Sequence, residues 1–101
     1  MAFQKVGKVG DVPPGTTRVF EVGDSAIAVC NVDGAIFAID DVCTHDGATL
    51  EDGVLDGFEI ECPRHGARFD VRTGEVRALP AVVSVETFEV RVEGDDIEVD
   101  L

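Results

Sequence analysis

Two short motifs constrain this chain more than anything else in it: Cys43-Thr44-His45 and Cys62-Pro63-Arg64-His65. Each sets one thiolate donor and one imidazole donor a residue or two apart, with residues 46–61 between the pairs. Neighbours at i and i+2, or i and i+3, can both point inward only from a tight turn. Gly47 and Gly66 follow the two histidines and permit such turns. Pro63 stiffens the second loop and brings no N–H of its own. These are the only two histidines in the chain, and each stands just behind a cysteine, which argues against chance placement.

Three chemistries compete for such a set. A structural zinc site uses two cysteines and two histidines, but usually as Cys-Cys and His-His pairs. A nucleophilic Cys/His enzyme would use one pair and leave the other without a task. A [2Fe–2S] cluster with two cysteines on one iron and two histidines on the other uses all four side chains alike. The third cysteine, Cys30, sits in the apolar run Ala26-Ile27-Ala28-Val29-Cys30 and reads as a buried core residue.

The rest of the chain is patterned as β-structure, without an amphipathic helix. Residues 18–22 and 25–32 read as strands around a Gly23-Asp24 turn, and residues 35–40 follow the tight-hairpin dipeptide Asp33-Gly34. Residues 85–92 and 97–101 alternate apolar and polar around Gly94-Asp95-Asp96, a last hairpin whose acidic residues read as the solvated face of an edge strand. Gly7, Gly10 and Pro13-Pro14-Gly15 mark an N-terminal loop. A different stretch, about 41–75, is rich in Gly, Asp and Arg; it holds both motifs and short strands at 58–61 and 67–71. The expectation is one all-β domain over 1–101, an antiparallel sandwich or barrel, with a metal-binding subdomain inserted at about 41–75.

Charge narrows the partners. Eight Lys and Arg face 21 Asp and Glu, a formal balance of −13. Nucleic acid and anionic membrane surfaces are therefore excluded as expected partners, and a basic protein face is favoured. Arg64, Arg68 and Arg72 are expected to pair with local carboxylates. No stretch has the apolar length of a signal peptide core or a membrane span, which leads to an expected cytoplasmic location. Three cysteines do not make a disulfide framework.

Cys43-Thr44-His45-Asp46-Gly47 and Cys62-Pro63-Arg64-His65-Gly66 resemble the two cluster loops of Rieske proteins. In length and acidity the chain is similar to the ferredoxin components of bacterial aromatic-ring-hydroxylating dioxygenases. The resemblance implies the Rieske fold and one [2Fe–2S] cluster held by Cys43, His45, Cys62 and His65. It also implies two partners, a flavin-containing ferredoxin reductase fed by NAD(P)H and a terminal oxygenase, with no bond chemistry in the chain itself. Service to another system, such as iron–sulfur assembly, or a zinc-stabilised interaction module, are the rival readings. The segment Ala78-Leu79-Pro80-Ala81 stands where the family's proline-containing loop covers the cluster.

The same resemblance bears on potential. Replacing two thiolates by neutral imidazoles removes two negative charges, so an added electron costs less than in an all-cysteine cluster. High-potential relatives in quinol-oxidising complexes carry a disulfide between the two loops, where this chain has Ala48 and Arg64. They also have a Ser and a Tyr donating to sulfur, where it has Ala67 and Phe69. Asp46 and Asp70, if they face the cluster, push the same way. These differences place the expected potential near the low end of the Rieske range, about −150 mV.

Overall fold

The computed structural model describes residues 2–43, 49–63, 66–79, 81 and 83–101. His45, His65, Thr44, Asp46, Gly47, Ala48, Arg64 and Pro80 all lie outside them.

Among the described residues, eleven strands form three antiparallel sheets: β1 Phe3–Lys8, β2 Thr17–Val22, β3 Ser25–Val32, β4 Ala35–Asp40, β5 Val54–Asp56, β6 Glu59–Glu61, β7 Arg68–Asp70, β8 Val76–Ala78, β9 Thr87–Phe88, β10 Val90–Glu93 and β11 Asp96–Asp100. The sheets run β1-β11-β10, β2-β3-β4-β9 and β5-β6-β7-β8. The only helical element among the described residues is a 3₁₀ turn, Val9–Asp11.

The second sheet is the middle layer. Along β3 the side chains alternate between two buried clusters: Ala28, Cys30 and Val32 join one, Ile27 and Val29 the other. The first cluster contains Leu50, Ile60, Phe69 and Val71 from the third sheet and its loops; the second contains Ile97 and Val99 of β11. A strand covered on both faces needs apolar residues at successive positions, which is why residues 26–30 read as an unbroken apolar run.

The three sequence-expected turns, at Gly23-Asp24, Asp33-Gly34 and Gly94-Asp95, are present. The β3–β4 turn has φ of 53° at Asp33 and 94° at Gly34, the doubly left-handed geometry that matches strand twist. The Asn31 side chain accepts the Gly34 N–H at 2.7 Å and donates to the Val12 carbonyl at 2.8 Å, tying this turn to the N-terminal segment.

Three expectations are corrected. Residues 3–8 are a strand paired with β11, not part of a loop; Gly7 lies at a register shift and takes the Phe20 ring where a side chain would stand. Residues 85–92 are not one strand: β9 pairs with β4 in the middle sheet, and β10 pairs with β11 in the first. The chain changes sheets at Glu89, whose carbonyl accepts the Asp100 N–H at 3.0 Å. And β11 is the central strand of its sheet, so the last hairpin has its edge only at β10.

The third sheet leaves the middle layer after β4 and returns through β9, which pairs with β4 at Ala38–Phe88 and Ile39–Thr87. Both motifs lie within this excursion.

Candidate metal centre

The second motif occupies the tip of the β6–β7 hairpin. The ladder Glu59–Asp70, Ile60–Phe69, Glu61–Arg68 runs up to it. It continues one step further: Cys62 N donates to the Ala67 carbonyl at 2.7 Å, and Gly66 N donates to the Cys62 carbonyl at 3.1 Å. Gly66 has φ of +77°, the left-handed conformation that lets four residues close this turn. Cys62 is thus held by its own main chain at the mouth of the loop, and its side chain is buried.

The first motif follows β4. Asp41 N donates to the Ala26 carbonyl of β3 at 3.0 Å. The Asp41 carboxylate then reaches across the loop: Leu50 N donates to Oδ1 at 2.7 Å, and the Thr49 hydroxyl lies 2.9 and 2.7 Å from the two oxygens. Cys43, inside this neck, is fully buried. Sequence reasoning missed Asp41. Asp side chains usually cap groups two or three residues away. This one acts over eight and nine positions, where no local spacing marks it.

Cys43 and Cys62 belong to one buried apolar cluster with Leu50, Ile60, Ala67, Phe69, Ala81 and Val85. None of the three cysteines forms a disulfide. Two thiols brought from separate loops into a dry pocket suit soft-metal binding, because thiolate ligands select zinc or iron–sulfur centres. The two thiols therefore fit an iron–sulfur cluster; the histidines expected to complete the set, His45 and His65, lie outside the described residues. Cys30 shares this cluster, yet differs in chemistry. Burial pushes its thiol up to about 11, and the Thr17 hydroxyl donates to its Sγ at 3.4 Å. It is a protonated core residue, as expected. Phe69 is core as well, and Ala67 contributes only its carbonyl.

Around the hairpin the arginines are engaged. Arg68 meets Asp56, Glu59 and Glu61 at 3.0, 3.3 and 3.0 Å. Asp70 is buried, and its carboxylate accepts from Arg72 N, Nε and Nη2 at 2.9, 3.1 and 2.9 Å, and from Arg77 Nη2 at 3.3 Å. Arg72 also stacks on the Phe58 ring, 4.1 Å from its centroid. The pairing expected of Arg68 and Arg72 is present. The charge of Asp70, expected to lower the potential if it faces the cluster, is compensated by two guanidinium groups.

The Arg72 bonds, with help from Arg77 and against the cost of burial, hold the Asp70 carboxyl down at about 2 from an ordinary 3.8. A depressed carboxylate contributes stability above its unfolded value and loses it as pH falls through the folded one. Asp70→Asn should therefore lower stability at neutral pH by on the order of 1 kcal/mol, since both arginines are nearly half exposed and water screens them. The gap between variant and wild type should close as pH drops from about 4 to 2. Urea midpoints of the two proteins across that range check this; a gap constant with pH would contradict it.

Residues 2–89 match the family model of the Rieske [2Fe-2S] domain. The chain belongs to the Rieske family. It is 48% identical to the ferredoxin component of biphenyl 2,3-dioxygenase from Rhodococcus jostii (strain RHA1), over all of this chain and 94% of that protein. The ferredoxin of carbazole 1,9a-dioxygenase from Nocardioides aromaticivorans IC177 has the same fold, with a TM-score of 0.92 at 37% identity over 98% of this chain and 97% of that one. A chain of the solved complex of reduced oxygenase and oxidized ferredoxin in carbazole 1,9a-dioxygenase matches at TM-score 0.89 and 41% identity, covering 96% and 91%. Family membership assigns this Rieske chain one [2Fe–2S] cluster, and the zinc and nucleophilic readings fall away.

Proposed function

We propose that this Rieske protein is an electron carrier of an aromatic-ring-hydroxylating dioxygenase system. It takes single electrons from a flavin-containing NAD(P)H reductase and hands them to a terminal oxygenase, catalysing no bond chemistry itself. The observation that carries the reading is 48% identity across the whole chain to a dioxygenase ferredoxin component. In this reading Cys43, His45, Cys62 and His65 are the cluster ligands, and residues 1–101 form one domain with its cluster-binding subdomain at about 41–75. A cytoplasmic site of action agrees with three cysteines outside any disulfide. No helix among the described residues is long and apolar enough to cross a membrane.

When bound, the cluster supplies one reversible electron at a potential set by its ligands and surroundings. The protein's part is placement and shielding. The apolar cluster of Leu50, Ile60, Phe69, Ala81 and Val85 keeps water from the two thiols. Arg68, Arg72 and Arg77 are committed to carboxylates, so the large acidic surplus is left to meet a basic partner face.

Purified protein should contain two irons and two acid-labile sulfides and be brown, bleaching with dithionite. A flavin reductase with NAD(P)H should reduce it, more slowly as salt is raised. Reduced protein should then support turnover of a terminal oxygenase. The midpoint should lie near about −150 mV. Failure of reduced protein to deliver electrons to any aromatic-ring oxygenase would move the assignment to another ferredoxin task, and a clearly positive midpoint would contradict the argument from Ala67 and Phe69.

A further inference from the structure

The two motif loops are closed by different means. At the second loop the β6–β7 ladder runs to the mouth, and two main-chain hydrogen bonds at Cys62 complete it. At the neck of the first loop the Asp41 carboxylate reaches across, taking the Leu50 N–H at 2.7 Å and the Thr49 hydroxyl at 2.9 and 2.7 Å. Behind it, Asp41 N is anchored to Ala26 of β3, and Asp40 N to Glu86 at 2.8 Å. Ahead of it, Thr49 Oγ1 accepts the Glu51 N–H at 3.1 Å, and the Leu50 carbonyl accepts from Gly53 at 2.9 Å. One side chain thus joins the end of the middle sheet to Thr49 and Leu50, and Cys43 is buried beside this link.

We propose that Asp41 is a positioning residue for the metal centre, fixing the neck of the loop in which Cys43 is buried. It rests on the reading of Cys43 as a ligand. Asp41 acts through Leu50 and Thr49, not on iron: its oxygens are occupied by the amide and the hydroxyl. An amide in its place can do the same work. Asn presents one carbonyl oxygen to the Leu50 N–H, and the Thr49 hydroxyl can turn to accept from the amide nitrogen. Alanine cannot, and it leaves the N–H of a fully buried residue without its acceptor.

The test compares holoprotein of wild type, Asp41→Ala, Asp41→Asn and Thr49→Val, read by iron loss to a chelator and by the reduced-state EPR spectrum. Asp41→Ala should lose iron about tenfold faster with altered EPR lines, while Asp41→Asn should stay within about twofold with the wild-type line shape. Thr49→Val, which keeps the Leu50 bond, should fall between. A wild-type rate and spectrum in Asp41→Ala would overturn the proposal, as would an Asn variant as impaired as the Ala variant, since charge and not placement would then be at work. Should Asp41→Ala fail to fold, an unchanged EPR spectrum in Thr49→Val overturns it. Cys43→Ser separates the two claims: a centre intact in that variant sinks the ligand assignment itself, whereas its loss beside an unaffected Asp41→Ala sinks only the positioning role.

Discussion

Replacing Cys62 with serine is expected to give a folded but colourless protein with at least about tenfold less bound iron. The main-chain bonds that hold residue 62, its N–H to Ala67 and its carbonyl to Gly66, do not involve the sulfur. Serine keeps them and fills nearly the same volume, so the hairpin tip should persist. What is lost is a soft, readily ionised donor; a hydroxyl is a poor substitute for iron. Because the centre forms only in the folded chain, its binding free energy also counts toward folding, and the variant should melt earlier than wild-type holoprotein. Cys30→Ala is the matched control. That thiol lies in the same apolar cluster, yet it is raised to about 11 and tied to Thr17. Its loss should cost roughly 1 kcal/mol of packing and leave iron content, colour and EPR unchanged. Iron and sulfide assays on the two variants decide the matter. A Cys62→Ser protein with the wild-type spectrum, or a Cys30→Ala protein without one, would refute the ligand set.

What could be read in advance follows a physical divide. Features carried by neighbouring residues were legible: Asp33-Gly34 codes a tight hairpin because both positions need positive φ, and the paired Cys/His motifs narrow the chemistry to a metal centre or a Cys/His nucleophile, between which the Rieske resemblance chooses. The unbroken apolar run in β3 announced a strand, though not that it is the middle of three layers. Features that depend on the return of distant chain were hidden. Residues 88–92 alternate without a break while passing from the middle sheet to the first, because alternation reports inside and outside, not which sheet is joined. β1 looked like loop because Gly7, with Gly10 just beyond the strand, dilutes the pattern, and Gly7 owes its place to the Phe20 ring from another strand. Asp41 and Asp70 were two carboxylates among 21 acidic residues. Only the fold shows that one closes a loop neck and that the other is buried between two arginines.

A second large effect is expected at Gly74, and Gly15 provides its measure. The two glycines have nearly the same backbone, φ of +78° and +82°. Alanine at Gly15 would meet nothing within 4 Å among the described residues, so it carries only the conformational cost of a left-handed residue, about 1 kcal/mol. Alanine at Gly74 carries that cost and would also drive its Cβ into the Val85 carbonyl, main chain that cannot rotate away. Gly74 and Val85 are joined there: Val85 N donates to the Gly74 carbonyl at 2.9 Å, while Gly74 N donates to Asp70 at 2.7 Å. Through these bonds the β7–β8 turn anchors the end of the segment that follows β8 and carries Ala81 into the cluster with Cys43 and Cys62. Relieving the clash means parting the two strands of chain at this point, breaking the Val85 bond and loosening Val85 and Ala81 from the core. A loss of about 3 kcal/mol is expected, or a fall in melting temperature of roughly 15 °C, against roughly 5 °C for Gly15→Ala. Because the loosened segment packs beside the two thiols, Gly74→Ala should also release iron faster, which Gly15→Ala should not. Equal melting temperatures for the two variants would show that the turn can shift to admit a methyl group, and that the contact with Val85 does not hold this segment in place.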